Sequence, residues 1–153
     1  MALHHILYVI AINYGGGLPM AIRALIIDDE PGVLSVLKTI LKKRGFEVTA
    51  CSSPVDSPLG DCPVCPCLLH PNCPQVIMSD YDMPVMNGLE FWERQLEKGC
   101  RCRNVALISG KGLNEKEFRR LTKLGMKLFL KPFDRQAIHD WLDDVELSIA
   151  SSL

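Results

Sequence analysis

Four places in this sequence hold residue types that could do chemistry together. They are Asp28-Asp29-Glu30, Asp80, Ser109 and Lys131-Pro132. Clustered carboxylates repel one another unless a cation lies among them. Mg²⁺ suits such a group, because it prefers oxygen ligands and keeps exchangeable waters. An aspartate beside it can act as a nucleophile toward phosphorus and form an acyl phosphate. Charge on the transferring oxygens then needs donors, which a lysine ammonium, a serine hydroxyl and backbone N–H groups supply. Taken singly, each feature is ordinary. An Asp-Asp-Glu run is often a solvated helix start, a Lys-Pro a strand end, and a Ser-Gly a turn.

The elements that would carry these residues decide between the two readings. Ala24–Ile27 is a short apolar run ending at Asp28, as in a buried parallel strand. Pro31 suits a first helical turn, and Val33, Val36, Leu37 and Ile40 continue at helical spacing to a stop at Gly45. Further strands are expected over residues 46–50, 75–79, 105–108 and 126–130. A helix over 88–98 is expected to put Leu89, Trp92 and Leu96 on one face. Asn114 with Glu117 reads as a capping box opening a helix to Leu124, and Asp134 caps a last helix with Ile138, Trp141, Leu142, Val145 and Ile149 inward.

Five strands alternating with helices predict an α/β fold: a doubly wound, flavodoxin-like, five-stranded parallel sheet of order 2-1-3-4-5. In such sheets the ligand site lies beyond the carboxyl ends of the strands. Asp28, Asp80, Ser109 and Lys131 all fall there, from four separate strands. Their convergence, rather than any one of them, carries the inference.

The segments LIIDDEPGV, MSDYDMPVMNG, LISGKG and FLKPF resemble the signature blocks of two-component response-regulator receiver domains. The resemblance runs from about Met20 to the last helix. It implies that Asp80 is the phospho-acceptor, supplied by a histidine kinase. Asp28, Asp29 and Asp80 would be Mg²⁺ ligands, joined by the backbone carbonyl of Asp82. Ser109 and Lys131 would contact the phosphoryl group, with a cis peptide bond between Lys131 and Pro132. The output would be a partner protein, bound on the face of the family's fourth helix (here the one opened by Asn114) and the fifth strand. A stand-alone receiver, with no output domain in the same chain, is the expectation.

Three features depart from the family pattern. The aromatic switch position, three before the lysine, is Leu128, with Phe129 on the opposite face of the strand. Asp82 and Lys111 lie two residues beyond the acceptor and the hydroxyl, where an ion pair could set the lifetime of the acyl phosphate. As a surface pair it would be worth at most about 1 kcal/mol. Finally, residues 51–74 hold six prolines and five of the seven cysteines, so the second crossover helix is expected to be replaced or shortened.

Topology brings the connections entering strands three and four to the same amino-terminal end of the sheet. Cys62, Cys65, Cys67 and Cys73 should there meet Cys100 and Cys102. Such thiolates suit structural Zn²⁺ or an iron–sulfur cluster, with His70 as an alternate ligand. Disulfides and free thiols are the other readings, and Cys51 is expected to be a small buried residue.

Length and composition set the limits. The 153 residues suit one domain, assigned to residues 20–153 after an N-terminal extension over 1–19. That extension reads as poorly ordered chain before a start at Met20, or else as an added strand or docking arm. Its apolar run is too short to span a bilayer and lacks signal-peptide features. A net charge of −1 gives no field toward nucleic acid or anionic lipid. A cytoplasmic signalling switch is the expected role, with transfer and slow self-hydrolysis at Asp80 rather than turnover. The alternatives are a metal- or redox-sensing adaptor on the same fold, and an aspartyl-phosphate phosphatase using Asp80-Tyr81-Asp82.

Overall fold

The computed structural model describes residues 21–60, 62–65 and 73–152. The expected extension over residues 1–19, Cys67 and His70 lie outside these. The chain divides into two compact units, one spanning Ile22–Phe133 and a second whose described residues are Ala21 and 134–152.

The first unit holds five parallel strands: β1 (Arg23–Ile27), β2 (Glu47–Cys51), β3 (Val76–Asp80), β4 (Asn104–Ser109) and β5 (Lys127–Leu130). Their order is β2-β1-β3-β4-β5, the expected one. Three helices connect them: α1 (Pro31–Lys43), α2 (Gly88–Glu97) and α3 (Glu115–Lys123). β3 is buried at every position, and both residue phases of β1 and β4 are buried. Continuous apolar runs are what parallel strands need when both faces are covered. One face carries Leu25, Ile27, Ile77, Val105 and Leu107, packed with Leu89, Phe91 and Trp92 of α2 and Leu121 of α3.

Helix boundaries follow their caps. Asn87 and Asn114 each open a helix with a full capping box, closed by Glu90 and Glu117. Pro31 stands in the first turn of α1, which buries Leu37, Ile40 and Leu41. The buried stripe of α2 is Gly88, Leu89, Phe91, Trp92 and Gln95. Leu96 is exposed, contrary to expectation, because the stripe centres on Gly88 and Gln95 and leaves Leu96 at its margin in the last turn. Strand limits shift by a residue or so, and the shift in β3 makes Asp80 its last residue.

The crossover from β2 to β3 contains no helix among its described residues. Turns replace it: Ser57 bonds back to the Pro54 carbonyl through both N–H and Oγ, and Gly60 N–H reaches Ser57 O. A Cβ on Gly60 would lie 2.6 Å from the Val55 carbonyl oxygen, so this close turn needs glycine. Leu59 enters the core, and Lys98 Nζ clamps the Leu59 and Gly60 carbonyls. Cys51 is only half-buried, because β2 is an edge strand and the thiol turns toward the Asp56 carbonyl.

In the second unit, α4 (Arg135–Ala150) is capped by Asp134, whose carboxylate accepts from Gln136 N–H at 2.9 Å. Ile138, Leu142 and Val145 are buried, while Trp141 and Ile149 are partly so. No helix among the described residues is long and apolar enough to cross a membrane.

Candidate functional site

The carboxyl ends of β1, β3, β4 and β5 carry Asp28, Asp80, Ser109 and Lys131. Register explains how they meet. Ile27 pairs with Ser79 and Asp80 with Ile108, so Asp28 and Asp80 leave adjacent strands at nearly the same level. Lys131 N–H bonds to Ser109 O at 2.7 Å, extending the β4–β5 ladder past its last pair. The peptide bond between Lys131 and Pro132 is cis.

Lys131 is the hub. Its Nζ lies 2.9 Å from Asp80 Oδ1, 3.2 Å from Asp28 Oδ2 and 2.5 Å from Glu30 Oε1. Asp28 Oδ1 accepts the Glu30 N–H at 2.8 Å. Asp28 Oδ2 is buried and, although in ion-pair range of Lys131, makes no well-directed hydrogen bond. Among the described residues, Asp28, Asp29 and Asp80 form the one group of three or more His, Cys, Asp or Glu whose donor atoms all lie within 4.8 Å of one another. An all-oxygen donor set with an unsatisfied buried lone pair fits a hard divalent cation such as Mg²⁺.

Burial is the main electrostatic fact. It pushes Asp80 up to about 6, against the pull of Lys131 and with help from the Asp28 charge. Asp28 is raised for the same leading reason, opposed by the Glu30 N–H and Lys131. Burial works against the Lys131 ammonium, yet its contacts with the Glu30, Asp80 and Asp28 carboxylates together hold its pKa above the ordinary lysine value. One cation among three carboxylates leaves the pocket short of positive charge.

Ser109 is fully buried, and its hydroxyl donates to Lys111 O at 2.6 Å. Lys111 Nζ sits 3.0 Å from Asp82 Oδ1, with both side chains more than half exposed. Leu128 is partly buried and packs on the core, whereas Phe129 is buried on the other side of β5. Gly88 lets α2 start hard against β3: a Cβ there would lie 2.2 Å from the Asp80 carbonyl oxygen. Its N–H bonds to Tyr81 O, which fixes the loop after Asp80.

Sequence reasoning missed two partners. Glu30 was grouped with the acidic run, but nothing in the sequence placed it on Lys131. Tyr81, next to Asp80, is buried and donates its phenol to Glu117 Oε1 at 2.5 Å, with Lys111 Nζ 5.5 Å from its ring centre. Burial and the Glu117 carboxylate push Tyr81 up to about 12, and its hydrogen bond lowers Glu117. Only a through-space contact between the β3–α2 loop and α3 reveals this pair.

The cysteines divide. Cys65, Cys73, Cys100 and Cys102 are buried in the same core cluster, while Cys62 is half-exposed and its Sγ faces the Pro58 carbonyl at 3.8 Å. Sγ atoms of Cys65 and Cys73 are 3.9 Å apart, far beyond the roughly 2.05 Å of a disulfide. No three of the described cysteines have sulfurs all within 4.8 Å of one another.

A parallel sheet of this order with a carboxylate pocket and a lysine at its carboxyl edge defines a class of α/β switch proteins. Residues 24–143 match the response regulator receiver domain, and the chain belongs to that family. Among solved structures, it is similar to the N-terminal domain of an uncharacterized protein from Wolinella succinogenes. That pair shares 25% identity at a TM-score of 0.68, covering 88% of this chain and 100% of the other. The CheX–CheY–BeF3–Mg complex of Borrelia burgdorferi gives 24% identity and a TM-score of 0.67, over 88% and 95%. Chemotaxis response regulator CheY4 of Vibrio cholerae gives 21% and 0.63, over 82% and 99%. No curated protein matches the chain.

Proposed function

We propose that this chain is a phosphorylation-controlled switch in two-component signalling, with Asp80 as the phospho-acceptor and a histidine kinase as donor. The observation that carries the reading is the Lys131 ammonium, 2.9 Å from Asp80 and 3.2 Å from Asp28. Asp28, Asp29 and Asp80, with the backbone carbonyl of Asp82, would hold Mg²⁺. When bound, the ion supplies the missing positive charge and screens the phosphoryl oxygens from the carboxylates.

The remaining chemistry belongs to the chain. An ionised Asp80 oxygen attacks phosphorus, a P–O bond forms, and the P–N bond to the donor imidazole breaks, its electron pair leaving with the imidazole. Lys131 then exchanges its contact with Asp80 for one with a phosphoryl oxygen. Ser109 gives up its bond to the Lys111 carbonyl and donates to another, which moves the β4–α3 loop. The Asp82–Lys111 pair stands at the edge of the site, where it would modulate water attack on the acyl phosphate. Leu128 offers no rotating ring, so the loop movement itself must carry the signal to a partner protein on α3 and β5. A phosphatase would need Asp82 as a proton donor. Its carboxylate is instead ion-paired and half in water, which favours the switch.

Intact-mass measurement after incubation with acetyl phosphate and Mg²⁺ tests this reading. The parent should gain one phosphoryl group, and Asp80→Asn none. Equal labelling of the two would overturn it.

A further inference from the structure

The proline-rich crossover holds no helix among its described residues, yet it delivers buried thiols into the core. Its described cysteines are drawn to those before β4 by three tethers. Cys65 N–H bonds to Lys98 O at 2.8 Å, two residues before Cys100. Cys100 N–H bonds to Gln95 O, turning the end of α2 inward. Asn104 Nδ2 donates to Gln75 O at 3.1 Å, and Val76 pairs with Asn104, so Cys73 and Cys102 precede neighbouring strands at a similar level. Cys65, Cys73, Cys100 and Cys102 are each at most 9% exposed.

We propose that Cys65, Cys73, Cys100 and Cys102 form a structural zinc site that ties the crossover to the start of β4. The Cys65–Cys73 separation of 3.9 Å is close to the edge of a zinc–tetrathiolate tetrahedron, about 3.8 Å for Zn–S bonds of about 2.3 Å. Cys102 Sγ faces the Asn104 carbonyl at 3.8 Å, so closing the site requires side-chain rotation, and a staggered χ1 change swings a cysteine sulfur by roughly 3 Å. On binding, each thiol loses its proton to solvent and its sulfur donates a pair to the metal. A tetrathiolate zinc carries two net negative charges, and basic residues stand near these cysteines in the chain. Arg101 and Arg103 flank Cys102 in sequence, Arg23 Nε donates to Cys73 O at 3.1 Å, and Lys98 holds the preceding turn.

The site lies at the amino-terminal end of β3. The five residues of β3, roughly 15 Å of strand, run from there to Asp80 at the carboxyl end. Its role is therefore stability of the crossover, separate from phosphoryl chemistry.

The test is metal content of the full chain, purified with reducing agent and zinc, then dialysed. One zinc per chain is expected, retained in Cys51→Ser and lost or reduced at least tenfold in affinity in Cys65→Ser and Cys102→Ser. Cobalt in place of zinc should give the intense visible bands of a tetrahedral thiolate site. A strong chelator should lower the melting temperature of the parent and leave that of Cys65→Ser unchanged. Absence of bound zinc, full retention in both serine variants, or a six-coordinate cobalt spectrum would overturn the proposal. Acetyl-phosphate labelling on the same samples reads the Asp80 reaction separately, so either idea can fail alone.

Discussion

The proposed function asks Asp80 to be two things that conflict, a buried side chain and a charged nucleophile. Burial raises its pKa to about 6 from 3.8, so folding favours the protonated form. The linkage follows in sign: stability from this group is fully present below the unfolded value and is lost as pH rises through 6. Without Mg²⁺, Asp80→Asn should therefore stabilise the protein at pH 7 by on the order of 1–2 kcal/mol, the loss of a Lys131 partner offsetting part of the gain. The advantage should shrink by pH 4, and Mg²⁺ should narrow it by binding the parent. Denaturant titrations at the two pH values measure this; a variant less stable than the parent at pH 7 would contradict it. At Tyr81 the coupling runs the other way. Its phenol lowers the Glu117 pKa, so Tyr81→Phe should raise that pKa in a carboxyl-detected NMR titration. An unmoved Glu117 would mean that the phenol contact is not made in solution.

At the scale of elements, the site depends on how closely strand ends and helix starts approach. Gly88 shows the limit, since any Cβ there collides with the Asp80 carbonyl and with Leu107 Cδ1 at 2.6 Å. Gly88→Ala should cost about 3 kcal/mol or more and displace the loop after Asp80. Thermal unfolding of the variant checks this, and a cost below about 1 kcal/mol would show that α2 can retreat freely. Much at this scale was legible beforehand. Alternating apolar runs and capping residues located the five strands and four helices of the described residues, because periodicity and caps are local signals. The same signals placed Asp28, Asp80, Ser109 and Lys131 at the strand ends. Leu96 was misplaced because a stripe's margin depends on what packs beside it. Cys51 was misjudged because edge position is a property of the sheet.

For the whole molecule, the sheet order was readable because five alternations leave few packings, while individual pair contacts were not. Glu30 on Lys131 and Tyr81 on Glu117 join residues 101 and 36 positions apart, which no local pattern encodes. The two ends of the strands emerge with separate tasks. The carboxyl ends gather carboxylates around one ammonium, and the amino ends gather buried thiols where the described crossover residues form turns.

The most direct measurement is chemical trapping of the phosphorylated state. Borohydride reduces an aspartyl acyl phosphate to homoserine, so peptide sequencing by mass spectrometry locates the reacting carboxylate. After phosphorylation with Mg²⁺, homoserine should appear at position 80 and vanish in Lys131→Ala or when Mg²⁺ is withheld. Homoserine at Asp28, Asp29 or Asp82 instead, or none anywhere, would contradict the account.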